Sequence, residues 1–191
     1  MTMKIGYHVD RSRSLIEDMP IQLSKSGFEN YYQESALLCK LFQDGMSKQG
    51  MHYMSNSTIF NGPEIQFRDI SSSIIEQNVE FTRNILHPTI PSRFQCFFAF
   101  PTINDIFLWP MFCDQDYPVF EIQYDETCPV LDSYFLKGGI DYKGVYSPTM
   151  GLICAEQYLS GKMSDSPMLE VLIPLPVTIG KCIGSIRSLK K

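Results

Sequence analysis

Three short stretches of the chain carry the side chains best suited to chemistry. His8 lies in the strand-like run KIGYHVD, an aromatic block reads FFAFPTINDIFLW, and Glu170 interrupts the apolar run MLEVLIPLP. An imidazole can donate and accept hydrogen bonds near neutral pH, and aromatic rings can stack on a flat or cationic ligand. A carboxylate in an apolar strand is costly unless it is paired or used. All three stretches are therefore candidates for a ligand-binding or catalytic site.

Each candidate also has a purely structural interpretation. His8 can be half-buried with a backbone partner, Glu170 can face solvent on a half-buried strand, and the rings can be core packing. Arg93 in PSRFQ, and Arg11 and Arg13 after the first strand, are candidates for binding a pyrophosphate through their guanidinium groups. The alternative for each of these arginines is an ordinary surface position.

Composition narrows the class of protein. The chain has 191 residues, 44% of them apolar, and a net charge of −5, which suits one domain and argues against a generic basic nucleic-acid surface. A Gly-rich phosphate loop, a G-x-S-x-G elbow and an H-E-x-x-H motif are all missing from the sequence. The six cysteines lack C-x-x-C spacing, so we expect reduced thiols and no metal site. Without a signal sequence or long apolar run, we expect a cytoplasmic protein with no membrane partner.

Local patterns predict an α+β fold in which helices dominate the first half and strands the second. Strands are expected at 4–9, 93–100, 117–125 and 128–136, with two more within 168–183. Helices are expected at 10–19, 28–46, 71–86, 101–110 and 147–162, and a long loop at 47–67. The helix at 71–86 is expected to bury Ile74, Ile75, Val79, Phe81, Ile85 and Leu86.

In chain order, the three stretches resemble the motifs of the ADP-ribosyltransferase superfamily. The resemblance is to its histidine–tyrosine–glutamate branch, which includes diphtheria toxin, the poly-ADP-ribose polymerases and many small bacterial toxin or phage-defence transferases. YHVDRSRSLIEDM is similar to the first strand and helix of that branch, FFAFPTINDIFLW to its aromatic strand and helix, and EVLIPLPVTI to its glutamate strand. Two departures stand out: a Phe replaces the family tyrosine, and Val9 and Asp10 replace the small residue that follows the histidine.

The resemblance implies a fold and a cofactor. It implies a split β-sandwich over residues 1–191, with two antiparallel or mixed sheets around a cleft that binds NAD as a substrate, and no metal. In that cleft, His8 would hydrogen-bond the adenosine-side ribose, and backbone groups at His8 and Val9 would receive the nicotinamide carboxamide. Arg93 would bind the pyrophosphate.

The resemblance also implies the catalytic arrangement. Phe98, with Phe107 or Trp109, would flank the nicotinamide ring. Glu170 would hold the 2′-hydroxyl of the nicotinamide ribose and stabilise the oxocarbenium-like state as nicotinamide leaves.

The activity implied is mono-ADP-ribosyl transfer from NAD to a protein or a nucleic acid, by a toxin or phage-defence effector with an antitoxin or other neutralising partner. The loop at 47–67 and the turn before Ser147 are candidates for target recognition. The main alternative is a catalytically inactive NAD-binding or protein-interaction module of the same fold. RNA 2′-phosphotransfer and an unrelated interaction protein are further alternatives, although three arginines are few for the former.

Overall fold

The computed structural model of the chain has an α+β fold. It describes residues 2–28, 35–55, 67–112, 115–140 and 145–190, which form two antiparallel sheets and six helices. The chain divides into two compact units. The strand unit comprises Met1–Gln22, Cys96–Ser133 and Met163–Lys191, and the helical unit comprises Leu23–Gln95 and Tyr134–Lys162. The α+β class is confirmed, and the single-domain organisation stays a prediction.

The strand unit contains both sheets. The first sheet has the order β1-β4-β7-β2, and the second has the order β3-β6-β5. The strands are β1 (Met3–Val9), β2 (Pro20–Ile21), β3 (Cys96–Ala99), β4 (Pro118–Asp125), β5 (Val130–Asp132), β6 (Leu169–Pro174) and β7 (Val177–Ser185). Two short helices, α4 (Ile103–Phe107) and α6 (Ile186–Leu189), also belong to this unit.

The two sheets share one apolar core. Along β4, the alternation predicted from VFEIQY buries Phe120, Ile122 and Tyr124 on one face, as period-two patterning requires. The same cluster takes its remaining buried members from β3, β6 and β7: Ala99, Val171, Ile173, Val177 and Ile179. Burial of these side chains from water is what holds the two sheets together.

One backbone contact joins the two sheets edge to edge. Tyr7 of β1 and Phe100, just after β3, exchange two N–H···O bonds of 2.9 and 2.7 Å. Gly6 makes this approach possible, because a Cβ there would lie 3.1 Å from the Phe100 carbonyl oxygen and 3.1 Å from the Tyr124 ring. This contact brings the first strand beside the aromatic strand.

The helical unit contains α1 (Ser35–Leu41), α2 (Lys48–Ser55), α3 (Phe67–Leu86) and α5 (Pro148–Leu159). Its core cluster is formed by Phe28, Leu38, Phe42, Met46 and Phe94. The predicted start of α5 is confirmed, since the Ser147 hydroxyl accepts a hydrogen bond from the Met150 N–H and Pro148 is the first helical residue.

The helix predicted after the first strand is wrong. Residues 10–19 form turns and irregular chain, and Ile16 is 68% exposed. The Asp10 carboxylate accepts hydrogen bonds from the N–H groups of Ser12 and Leu15, at 3.0 and 2.7 Å. These bonds replace the helical ones, which is how a short acidic side chain competes with a helix.

Two predictions for the helical unit also need correction. Phe81, Ile85 and Leu86 of α3 are exposed, whereas the helix buries Glu76, Val79 and Thr82. The part of the predicted 47–67 loop that is described forms α2 and the start of α3, and residues 56–66 lie outside the described residues. The first half of the predicted 28–46 helix likewise falls mostly on residues 29–34, which are not described.

Candidate functional site

The three candidate motifs lie on neighbouring strands. His8 is in β1, the aromatic run is β3, and Glu170 is the second residue of β6. The Tyr7–Phe100 contact joins β1 to the end of β3, and β3 pairs with β6 through residues that include Ala99 and Val171. Strands that are more than 70 residues apart in the chain are therefore side by side in the strand unit.

His8 is anchored to β3. Its Nδ1 lies 2.7 Å from the carbonyl oxygen of Phe98, and its ring centroid lies 4.3 Å from that of Phe97, with the planes tilted by 39°. A carbonyl oxygen only accepts hydrogen bonds, so Nδ1 carries the proton in this contact. The neutral tautomer then leaves Nε2 as an acceptor, which suits it to bind a hydroxyl group.

The environment of His8 favours that neutral form. Burial lowers the pKa of His8 below its usual 6.5, and the hydrogen bond to Phe98 and the charge of Asp10 oppose this only in part. A neutral imidazole with one free acceptor nitrogen is therefore expected at physiological pH.

Asp10 shapes the turn that follows His8. Its side chain is only 2% exposed and accepts hydrogen bonds from the N–H and hydroxyl of Ser12 and from the N–H of Leu15. Burial alone would raise the pKa of Asp10, but the hydrogen bonds, that of Leu15 first, outweigh it and lower the pKa. The carboxylate thus holds the turn in place beside β1.

Glu170 is buried. It is 5% exposed and lies opposite Leu131 of β5, so the solvent-facing alternative for this residue is wrong. Phe98 pairs with Leu172, and Leu172 is two residues from Glu170, so alternation puts Glu170 and Phe98 on one face of the sheet. His8 packs on Phe97, which belongs to the opposite face. The strands of the three motifs are neighbours, but His8 packs against a ring on the face of this sheet opposite to the face of Glu170.

The other aromatic candidates pack together. Phe107, at the end of α4, and Trp109 both contact the apolar cluster that contains Val9 and Phe100. The Trp109 and Phe100 rings meet edge to face, with centroids 5.4 Å apart. The structure thus brings Val9, Phe107 and Trp109 together in one cluster at the end of β1 where His8 lies.

Arg93 belongs to the helical unit. Its guanidinium donates to the Glu76 carboxylate at 2.7 and 3.0 Å and to the Tyr158 hydroxyl. Both members of the ion pair are 5% exposed in their side chains. Arg11 and Arg13, by contrast, are exposed in the strand unit, and Arg13 donates to the Asp116 carbonyl at 3.2 Å. Pyrophosphate binding by any of them stays a prediction.

Phe97 and Asp10 are the residues near His8 that the motif pattern did not single out. Phe97 stands beside Phe98 in FFAF, and only the register of β3 shows which ring meets the imidazole. A signal for Asp10 was present, because an aspartate two residues before a serine is typical of a turn closed by its own side chain.

The described residues contain neither a metal-binding cluster nor a membrane-spanning helix. In that part of the chain, no group of three or more His, Cys, Asp or Glu side chains is arranged to hold a metal ion. None of its helices combines the length and the apolar character needed to cross a membrane. None of the described cysteines, which are Cys39, Cys96, Cys128, Cys154 and Cys182, forms a disulfide.

The fold and site together define an α+β protein whose candidate site is built by three neighbouring strands. The family model described as "Protein of unknown function (DUF2441)" matches residues 6–185, so the chain belongs to the DUF2441 family. The match spans both units and includes every candidate site residue from His8 to Glu170. No curated protein matches the chain.

Proposed function

We propose that this protein is a mono-ADP-ribosyltransferase with an ADP-ribosyltransferase-like fold, which cleaves NAD and transfers ADP-ribose to a protein or a nucleic acid. The observation that carries the proposal is the adjacency of the three motif strands, β1, β3 and β6. The resemblance orders these motifs along the chain, and a shared site additionally requires them to be close in space. The proposal includes a cytoplasmic effector with a neutralising partner.

His8 and Glu170 are assigned to different ends of NAD. In the proposal, the free Nε2 of His8 accepts a hydrogen bond from the adenosine-side ribose, and backbone groups of His8 and Val9 hold the nicotinamide carboxamide. Glu170 holds the 2′-hydroxyl of the nicotinamide ribose. The proposal requires that both side chains reach one cleft, and it is wrong if His8 and Glu170 point into different parts of the fold.

The rings and the carboxylate supply the chemistry. Phe98, with Phe107 or Trp109, stacks on the nicotinamide ring, which is cationic in NAD and is attracted to an aromatic face. The bond between nicotinamide and the ribose carbon breaks, and its electron pair leaves with neutral nicotinamide. The Glu170 carboxylate stabilises the positive charge that develops on the ribose, and an acceptor nucleophile then bonds to that carbon and loses its proton.

The test is to incubate NAD labelled in its adenosine part with the protein and a cell extract, followed by protease or nuclease digestion. We expect label in a macromolecule, and Glu170→Gln should lower NAD consumption by about a hundredfold or more, as loss of a preorganised charge does. Glu126→Gln, in the exposed turn after β4, is the matched control and should retain activity.

Two results would count against the transferase. Unchanged NAD consumption in Glu170→Gln would remove the catalytic role of that carboxylate. If label entered neither protein nor nucleic acid and no free ADP-ribose appeared, the enzyme proposal would fail. A rise in melting temperature with NAD but no turnover would instead support the alternative of an inactive NAD-binding module.

A further inference from the structure

A second buried carboxylate lies beside Glu170. Asp132, the last residue of β5, has 0% of its surface exposed. Its Oδ2 accepts hydrogen bonds from the N–H and hydroxyl of Ser164 at 2.8 and 2.6 Å, and its Oδ1 accepts one from the N–H of Met168 at 2.9 Å. A buried carboxylate is costly without such donors, so these contacts account for its position.

The segment that Asp132 holds leads directly into β6. Ser164 and Met168 come just before this strand, and the Ser133 N–H adds a 2.9 Å bond to the Met168 carbonyl. Across the β5–β6 pair, Asp132 is opposite Leu169 and Leu131 is opposite Glu170. Only Leu169 therefore lies between Met168, whose N–H is held by Asp132, and Glu170.

The Glu170 end of β6 needs this support. The pairing of β3 with β6 runs from Cys96–Pro174 to Ala99–Val171, so it stops one residue short of Glu170. Leu169 and Glu170 are paired with β5, which has three residues. A slip of one residue would turn Glu170 to the other face of the sheet. The residue paired with Glu170 belongs to this strand of only three residues.

We propose that Asp132 is a positioning residue for Glu170: its carboxylate fixes the turn at 164–168 and with it the register and direction of the glutamate. The role in catalysis rests on the proposed function, whereas the role in ordering β6 does not. Asp132 is paired with Leu169, the residue before Glu170, so alternation puts the two carboxylates on opposite faces of the sheet and Asp132 acts through the backbone.

Asp132→Asn is the sharpest variant, because it keeps the size of the side chain. The asparagine retains one oxygen that accepts hydrogen bonds. Its NH2 group replaces the other carboxylate oxygen, so it faces an N–H donor that it cannot accept a hydrogen bond from. We expect amide hydrogen exchange at Met168 and Glu170 to become faster by about tenfold or more, because local opening becomes easier. We expect kcat for NAD cleavage to fall by about tenfold or more with KM for NAD within about twofold, because misplacing a catalytic group mainly affects the chemical step.

The matched control is Asp125→Asn. Asp125 follows the same pattern in the turn after β4, where it accepts hydrogen bonds from the N–H and hydroxyl of Thr127 at 2.9 and 2.6 Å. This variant should leave kcat and the exchange at Glu170 unchanged. Ser164→Ala removes the hydrogen bond from the Ser164 hydroxyl to Asp132, and it provides the test if Asp132→Asn does not fold.

The outcomes separate the two proposals. If the wild-type protein does not cleave NAD, the proposed function fails, and the exchange rates at Met168 and Glu170 alone decide the role of Asp132. If the wild type is active but Asp132→Asn retains its kcat, or raises KM alone, Asp132 does not position the catalytic group. Unchanged exchange at both amides would overturn the inference whatever the activity.

Discussion

The two units of the molecule use buried charge in different ways. In the strand unit, the carboxylates of Asp10 and Asp132 accept hydrogen bonds from backbone N–H groups of short turns. In the helical unit, the Glu76 carboxylate binds the Arg93 guanidinium, which also reaches Tyr158. One arrangement orders backbone turns through N–H donors, and the other pairs two charged side chains. Distance along the chain does not separate them, because Asp132 binds residues 32 and 36 positions away and Glu76 binds Arg93 from 17 positions away.

This difference separates residues that shape a site from residues that hold a core. Asp10 follows His8, and Asp132 supports the strand of Glu170, so the turns they hold adjoin both ends of the candidate site. The ion pair of Glu76 and Arg93 instead links α3 to the segment before β3, and Tyr158 brings in α5. Substitutions in the first group should loosen a turn, and those in the second should destabilise the helical unit.

The largest effect should follow from Arg93→Met. The substitution leaves the Glu76 carboxylate buried without its charged partner, which costs about 3 to 5 kcal/mol for a buried pair. Unfolding in urea, followed by far-ultraviolet circular dichroism, measures the loss. Arg83→Met is the control, because the Arg83–Glu80 pair is more exposed, at 13% and 16%, and its loss should cost about 1 kcal/mol. Equal losses would remove the distinction between the units.

A smaller effect should follow from Asp10→Asn. The asparagine NH2 group replaces one carboxylate oxygen, so one donor loses its acceptor. This lowers the free energy of unfolding by about 1 to 2 kcal/mol near neutral pH. The pKa of Asp10 is lowered in the folded protein, so its contribution is present above the unfolded value of about 3.9 and is lost as pH falls through the folded pKa. The variant should therefore lose less stability than the wild type on acidification below about pH 4. Parallel curves for the two proteins would contradict this.

The smallest effect should be the pH dependence contributed by His8. Since burial lowers the pKa of His8, the unfolded chain takes up a proton first as pH falls below about 6.5, and the folded state becomes less stable. His8→Gln removes this pH-dependent contribution to stability, and the glutamine amide can still donate a hydrogen bond to the Phe98 carbonyl. Melting temperatures measured between pH 7.5 and 5.5 should fall less in the variant than in the wild type. An equal fall would show that His8 is not held neutral.

Local patterns predicted many of the elements. The strand expected at 117–125 is β4, and the helix expected at 101–110 contains α4, where Thr102 and Asp105 form a capping box with both reciprocal hydrogen bonds present. These predictions succeed because the signal lies within a few residues. The buried side of α3 was not predictable in this way, because Glu76 becomes buried only when Arg93 reaches it from 17 residues away.

For the candidate site, too, the sequence indicated some features and only the structure showed others. The sequence marked His8 and Glu170 as unusual, but each residue taken alone also fitted a structural interpretation, as a half-buried histidine and a surface glutamate. The structure shows Glu170 buried and shows Phe97 as the ring against His8, a residue that the pattern FFAF alone does not distinguish from Phe98. Alternation assigns a face only once the register between strands is known.

The sequence by itself determined the α+β class, most of the strands, the well-capped helices and membership in the DUF2441 family, because each depends on local patterns or on the chain's own residues. Only the tertiary structure decided that β1, β3 and β6 are neighbours and that His8 reaches Phe98 across 90 positions of the chain. Strand pairing depends on how the whole strand unit packs around one core. A short motif therefore does not indicate which strand will pair with it.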